Sequence, residues 1–304
     1  MAEDFPRTLM ELERRFSDEL ACRAYLAALR WPEGWICPSC QGREWWDVRR
    51  QQWRCPACHR EVSVIAGTVF QDSKLPLTVW FRAMWQMTSQ KNGMSALGLQ
   101  RVLGLGSYKT AWSVLHKLRR AMVRPGRDRL RGVVEVDEAY WGGEEEDVRG
   151  RQTQDKALIV VAAETDGPGI GRIRLRHIAD TNRATLHGFI AEAIELGSTV
   201  QTDGLQAYRE LQGYGHDRRI QRHQPEGADH LLPRAHRIIS LLKRWLLGTH
   251  QGAVGSDYLQ DYLDEFTFRF NRRASASRGK LFYRLAQQAV QVAPTTYDNL
   301  GKHS

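Results

Sequence analysis

The sequence predicts a multidomain α+β chain, on three observations. Two Cys-x-x-Cys pairs lie close together near the N-terminus, a basic helical stretch with a glycine turn follows, and strand-like and helix-like runs then alternate toward the C-terminus. A length of 304 residues is enough for two or three domains with real cores. No apolar run approaches the 18 residues of a membrane span, and Met-Ala-Glu-Asp-Phe-Pro lacks the basic and apolar parts of a signal peptide. The expected compartment is therefore the cytoplasm, where five cysteines are reduced or metal-bound rather than paired. The net charge of +9 is unevenly spread. Residues 101–131 carry nine Lys/Arg against one acid, and residues 269–284 carry six with none. Such localised positive charge is the footprint of a polyanion, most often nucleic acid.

Residues 1–30 read as an N-terminal helical segment. Leu9, Leu12, Phe16, Leu20, Cys22, Tyr25, Leu26 and Leu29 recur near helical spacing, and Cys22 fits as a small buried apolar residue. Residues 31–70 hold Cys37-Pro-Ser-Cys40 and Cys55-Pro-Ala-Cys58, two knuckles separated by 14 residues. Four thiolates satisfy tetrahedral zinc and leave no open position, so Cys37, Cys40, Cys55 and Cys58 predict a structural zinc ribbon of short strands. A redox dithiol is the competitor, disfavoured by two pairs in so short a stretch. Trp45, Trp46 and Trp53 lie between the knuckles and are expected mostly to cover the small core.

Residues 71–131 read as a helix-turn-helix region. Leu77, Trp80, Phe81, Met84 and Trp85 form one stripe; Ser95 caps a short helix; Gly104-Leu-Gly106 turns the chain; and Ser107 starts a longer basic helix. In that last helix Ala111, Trp112, Leu115, Leu118 and Met122 are expected to face inward. Tyr108, Lys109, Thr110, Ser113 and Lys117 are expected outward, where a recognition helix meets the major groove. The candidate DNA-binding residues are Lys109, Lys117, Arg119 and Arg120.

Residues 132–291 carry the chemistry, followed by a tail at 292–304. Strands are expected at 132–138, 157–164, 171–178 and 198–203, with a helix near 183–196. Three strands, a helix, a strand and further helices are the order of a ribonuclease-H-like mixed-sheet domain. Asp137 and Asp203, 66 residues apart, fall at or near strand ends that this fold brings together as oxygen ligands for magnesium or manganese. His236 and Lys243 are one seven-residue helical step apart. That is about 700° of rotation and roughly 10 Å of rise, so they share a face. Glu135 and Glu138 flank the first aspartate, and the acidic stretch Gly142–Asp147 follows it. The arrangement suits phosphoryl transfer on a nucleic acid; solvated strand-end aspartates beside a surface helix are the plainer reading.

The chain resembles bacterial insertion-sequence transposases of the DDE superfamily, in the branch with an N-terminal zinc ribbon. The resemblance rests on Cys37–Cys58, Val134-Glu-Val-Asp-Glu-Ala-Tyr-Trp-Gly-Gly143, Thr202-Asp-Gly204, Ser240-Leu-Leu-Lys-Arg244, Gly248-Thr-His250 and Tyr262-Leu-Asp-Glu-Phe-Thr-Phe-Arg-Phe-Asn-Arg-Arg273, and covers about residues 10–290. Most members carry Glu seven residues before the Lys of the Leu-Lys-Arg run, a position held here by His236. The resemblance therefore implies a DDH-plus-Lys variant with Asp137, Asp203 and His236 on magnesium or manganese, and with Lys243 on phosphate. Glu226 lies too near Asp203 in sequence to replace the missing Glu.

The implied activity is recognition of terminal inverted repeats in double-stranded DNA, hydrolysis of 3′ ends, and their joining to target DNA by transesterification. The implied assembly is a homo-oligomer, at least a dimer when synapsed, associated with the nucleoid and with no membrane partner. The alternative is a catalytically decayed transposase acting only as a DNA-binding protein or repressor; a stand-alone nuclease would use the same site without preferring particular ends.

Overall fold

Side-chain caps start several of the helices where the sequence supplies them. Thr8 accepts the N–H of Glu11 ahead of α1 (Leu9–Arg15), Asp18 that of Ala21 ahead of α2 (Glu19–Arg30), and Ser95 that of Gly98 ahead of α4 (Ala96–Leu103). The structure is a computed structural model and describes residues 3–48, 52–124, 126–142, 156–220 and 231–300. It divides into two units: Met1–Arg124 with Ala274–Leu300, and Pro125–Arg273 with Gly301–Ser304. No described helix is long and apolar enough to cross a membrane. The acidic stretch beyond Gly142 and Glu226 lie outside the described residues.

In the first unit, α3 (Leu77–Ser89) packs against α2 and α9 (Arg278–Ala289). Phe16, Tyr25, Phe81 and Phe282 form the aromatic centre, with ring centroids 4.7 to 6.2 Å apart. Gly279 allows the close approach of α9 to the N-terminal segment, because a Cβ there would lie 1.7 Å from the Pro6 carbonyl oxygen. Sequence reading kept residues 274–291 with the preceding catalytic segment. Here they return to the first unit, because Leu281, Phe282, Leu285 and Ala289 form a buried stripe matching that of α3. The ribbon is a three-stranded antiparallel sheet, β1 (Trp46–Val48), β2 (Gln52–Arg54) and β3 (Glu61–Ser63). α4 ends on Gly104 in the left-handed region, at φ 61, and a short turn leads into α5 (Tyr108–Arg120). This helix–turn–helix packs on α3.

The second unit is a mixed five-stranded sheet in the order β6-β5-β4-β7-β8. β4 (Val133–Trp141), β5 (Ala157–Asp166) and β6 (Gly169–Ile178) are antiparallel; β7 (Thr199–Thr202) and β8 (Gly215–Arg218) run parallel to β4. α6 (Arg183–Ala193) makes the crossover and covers one face, packing Leu186, Phe189 and Ile190 on Val134, Val136 and Val160. α7 (Pro233–His250) and α8 (Leu259–Phe270) cover the other, packing Ile238, Leu242 and Leu263 on Ile159 and Val161. Three antiparallel strands, a helix and parallel strands added beside the first make this a ribonuclease-H-like domain. The fifth strand was not expected: Gly-His-Asp-Arg has no apolar alternation, and it pairs only as an edge beside β7.

Candidate active site

The four ribbon cysteines converge. Their sulfurs all lie within 4.8 Å of one another, with Cys37–Cys58 and Cys40–Cys55 each at 3.5 Å. Four sulfurs at about 2.3 Å from zinc stand about 3.8 Å apart, so the cage fits structural zinc. Gln41 and His59 occupy equivalent left-handed positions, at φ 64 and 57, and each folds its knuckle back on the first cysteine. Burial raises the Cys37 thiol, but the Cys40 and Ser39 amides outweigh it and bring it down to about 6. The Gly42 amide lowers Cys40, yet the neighbouring Cys55 and Cys58 sulfurs push it up to about 12. All four become thiolates together only with a cation among them to offset their mutual repulsion. Trp35 is buried against Cys37 and Cys55, with Trp31 and Trp53 packed beside it. Trp45 and Trp46, expected mostly as core, are exposed instead, because the three-residue strands cover only one side.

The basic helix α5 is more occupied than its sequence suggests. Lys109 is exposed, with its ammonium 3.8 Å from the centre of the Tyr297 ring. Lys117 is half-buried, which lowers its pKa against the pull of Asp72. Arg120 donates to the Asn299 carbonyl at 3.5 Å. Arg119 departs from expectation: it is 1% exposed, on the inward face one turn after Leu115. Its four-residue spacing from Leu115 is the sequence signal for that burial. The second basic segment is also largely engaged internally. Lys280 and Arg284 pair with Glu3, while Arg273 stacks on Phe270 and donates to the carbonyls of Ile170 and Gly171.

β4 and β7 are parallel neighbours whose pairing runs from Val133 with Thr199 to Glu135 with Gln201, two residues short of Asp137 and Asp203. The charges of both aspartates act on the Tyr208 phenol, so the two lie in one neighbourhood. Asp203 directly follows β7, its Oδ1 accepting the Leu205 N–H at 2.8 Å. Arg218 of the unforeseen β8 donates to the Gly204 carbonyl and steadies this turn. Asp137 accepts the Glu138 N–H at 2.9 Å through Oδ1, while Oδ2 stands 3.4 Å from His236 Nε2. Two cis ligands at about 2.1 Å from magnesium stand about 3.0 Å apart, so the Asp137–His236 pair is close to that separation. Among the described residues, Asp203 does not join them in a cluster spanning 4.8 Å or less; that compactness belongs to the four cysteines. His236 and Lys243 both lie on α7, whose inward stripe is Ala235, Ile238, Leu242 and Leu246.

Three further residues bound this site. Tyr208 is fully buried and donates its hydroxyl to Glu138. Burial, with the charges of Glu138, Asp137 and Asp203, pushes its phenol well up, so it stays a donor beneath the carboxylates. Glu135, also fully buried, accepts from Arg234 and from the first turn of α7. Strand alternation places Glu135 on the face of Asp137, a signal present in the sequence; nothing there pointed to Tyr208.

A zinc ribbon, a helix–turn–helix and a ribonuclease-H-like sheet with Asp137 on β4 and Asp203 at the end of β7 define the architecture of a DNA transposase. Comparison with known families agrees: residues 17–61 match the transposase zinc-ribbon domain and residues 129–271 the ISXO2-like transposase domain. The chain is 30% identical over 291 residues to an uncharacterized protein in transposable element ISH50 of Halobacterium salinarum, covering 84% of this chain and 92% of that one. Among solved structures, the catalytic core domain of BIV integrase aligns over 48% of this chain and 88% of its own, with 15% identity and a TM-score of 0.33. The chain belongs to the zinc-ribbon-bearing insertion-sequence transposases of the ISXO2-like family, enzymes of metal-dependent phosphoryl transfer on DNA.

Proposed function

We propose that this transposase is a DDH-plus-Lys enzyme that binds its element's terminal inverted repeats, hydrolyses the 3′ ends and joins them to target DNA. It would work in the cytoplasm on nucleoid DNA, as at least a dimer once two ends are synapsed. What supports the reading is His236 Nε2 standing 3.4 Å from Asp137 Oδ2, on a strand whose parallel neighbour β7 leads directly into Asp203. Asp137, Asp203 and His236 would hold magnesium or manganese. When bound, the ions supply Lewis-acid stabilisation of the attacking and leaving oxygens of an in-line displacement. Lys243, on the same helical face about 10 Å along α7, would hold the phosphate backbone near the scissile bond. Lys109, Lys117 and Arg120 border the solvent side of α5 and would engage the DNA end. No covalent protein–DNA intermediate is needed, because positioning and charge stabilisation carry the transfer.

The test is strand cleavage of an end-bearing duplex by purified protein in magnesium and in manganese. His236→Ala should lose cleavage at low metal and recover partly in excess manganese, whereas His236→Glu should retain activity by offering a hard oxygen from the same face. A wild-type protein that binds ends but cleaves under neither metal would instead be the decayed form, acting as a DNA-binding protein or repressor.

A further inference from the structure

α7 begins without a local cap. Leu232 stands at the N-cap position and offers no side-chain acceptor, and Pro233 has no N–H; the His236 N–H reaches the Leu232 carbonyl at 3.0 Å, which leaves the Arg234 and Ala235 N–H groups to be satisfied from elsewhere. A residue about a hundred positions earlier fills the gap. Glu135 Oε2 accepts the Arg234 N–H at 2.7 Å and the Ala235 N–H at 3.0 Å, while Oε1 accepts from the Arg234 guanidinium at 3.0 Å. Arg234 also donates to the Gly169 and Gly167 carbonyls, at 2.9 and 3.1 Å, in the β5–β6 turn. Glu135 is fully buried, and a carboxylate at such a place requires these donors.

We infer that Glu135 is a positioning residue: it caps α7 from β4 and thereby sets His236 against Asp137. Residues 135 and 137 share one face of β4 and stand about 7 Å apart. Residues 234 and 235 bind the first of them, and residue 236 meets the second at 3.4 Å. The capped turn and the Asp–His contact therefore form one clamp. A helix rotated by a single residue, about 100°, would carry the imidazole off the carboxylate's face. This inference rests on the reading of Asp137 and His236 as metal ligands, and assigns Glu135 no contact with metal or DNA.

The experiment uses the full chain. Site-resolved amide exchange on metal-free protein follows the Arg234 and Ala235 N–H groups, and electron paramagnetic resonance of added manganese follows nitrogen coupling, with His236→Ala as the control that removes it. Wild type should show both amides protected and a coupled nitrogen. Glu135→Ala should lose both and bind manganese about 10–100-fold more weakly, with DNA-end binding unchanged. Arg234→Ala should keep both, because the two backbone bonds to Glu135 survive. A folded Glu135→Ala protein with wild-type nitrogen coupling would overturn the inference, as would an Arg234→Ala protein equally impaired, which would reduce Glu135 to one half of an ion pair. If Glu135→Ala does not fold, Glu135→Gln decides. Its amide oxygen can still cap, so retained protection with retained coupling supports the clamp, and retained protection without coupling refutes it. Absence of nitrogen coupling in wild type refutes the metal reading itself and this inference with it. A coupled wild type indifferent to Glu135→Ala refutes the capping role alone.

Discussion

Replacing Glu164 by Gln should loosen the entry to the catalytic strand, and should do so only where the carboxylate is ionised. Glu164 lies on β5 and receives a two-pronged Arg172 guanidinium, from Nε at 2.9 Å and from a terminal nitrogen at 2.7 Å. It also accepts the N–H of Arg172 at 3.1 Å and that of Arg131, just ahead of β4, at 3.0 Å. Burial raises the carboxyl, but Arg172 and the two amides outweigh it and hold it at about 2, well below the 4.5 of a free glutamate. At 1.36 kcal/mol per unit, that depression caps the contribution at about 3 kcal/mol. Arg172 is 32% exposed and Glu164 12%, and solvent screening brings the expected loss in Glu164→Gln to about 2 kcal/mol at pH 7. Because the folded value lies below the unfolded one, the stabilisation is complete above the unfolded value and is lost as pH falls toward 2. The gap between wild type and variant should therefore shrink by more than half at pH 3. Native-state amide exchange of β5 and β6 across that range measures it. A gap that stays constant with pH, or is absent at pH 7, would refute the reasoning.

Three other outcomes follow from the remaining sites. Metal analysis should find one zinc per chain; Cys37→Ser should lose it and unfold residues 31–70 while the rest stays folded, since zinc supplies such ribbons with about 10 kcal/mol or more. Lys109→Ala should weaken end binding and lower the salt slope by about one, whereas Arg119→Ala, emptying a buried site, should lower the melting temperature and leave the slope alone. Asp137→Ala and Asp203→Ala should each abolish cleavage and strand transfer while end binding persists in a mobility-shift assay; near-normal cleavage by either would remove that residue from the site.

The sequence by itself determined whatever is local or periodic. Thiol spacing marked the ribbon, Ser95 and Gly104 marked the ends of α4, and the seven-residue step tied His236 to Lys243, because these depend on neighbours within a few turns of chain. The first four strands of the catalytic sheet were legible because apolar β-branched runs need only a sheet to bury them. Tertiary structure alone decided the rest. The pairing of β4 with β7 made neighbours of the strand that carries Asp137 and the strand that leads into Asp203, since register between distant strands is set by the packing of both faces. β8 took its place because an edge beside β7 was open, not because Gly-His-Asp-Arg favours a strand. Arg119 was buried by its position one turn beyond Leu115, which outweighs its charge once α5 is packed. α9 returned to α3 because their apolar stripes match, a pairing that sequence adjacency cannot indicate. The same holds for the cap of α7: Leu232 announces that a local cap is missing, but only the folded sheet brings Glu135 to the unsatisfied amides, because that contact depends on where a strand a hundred residues away comes to lie.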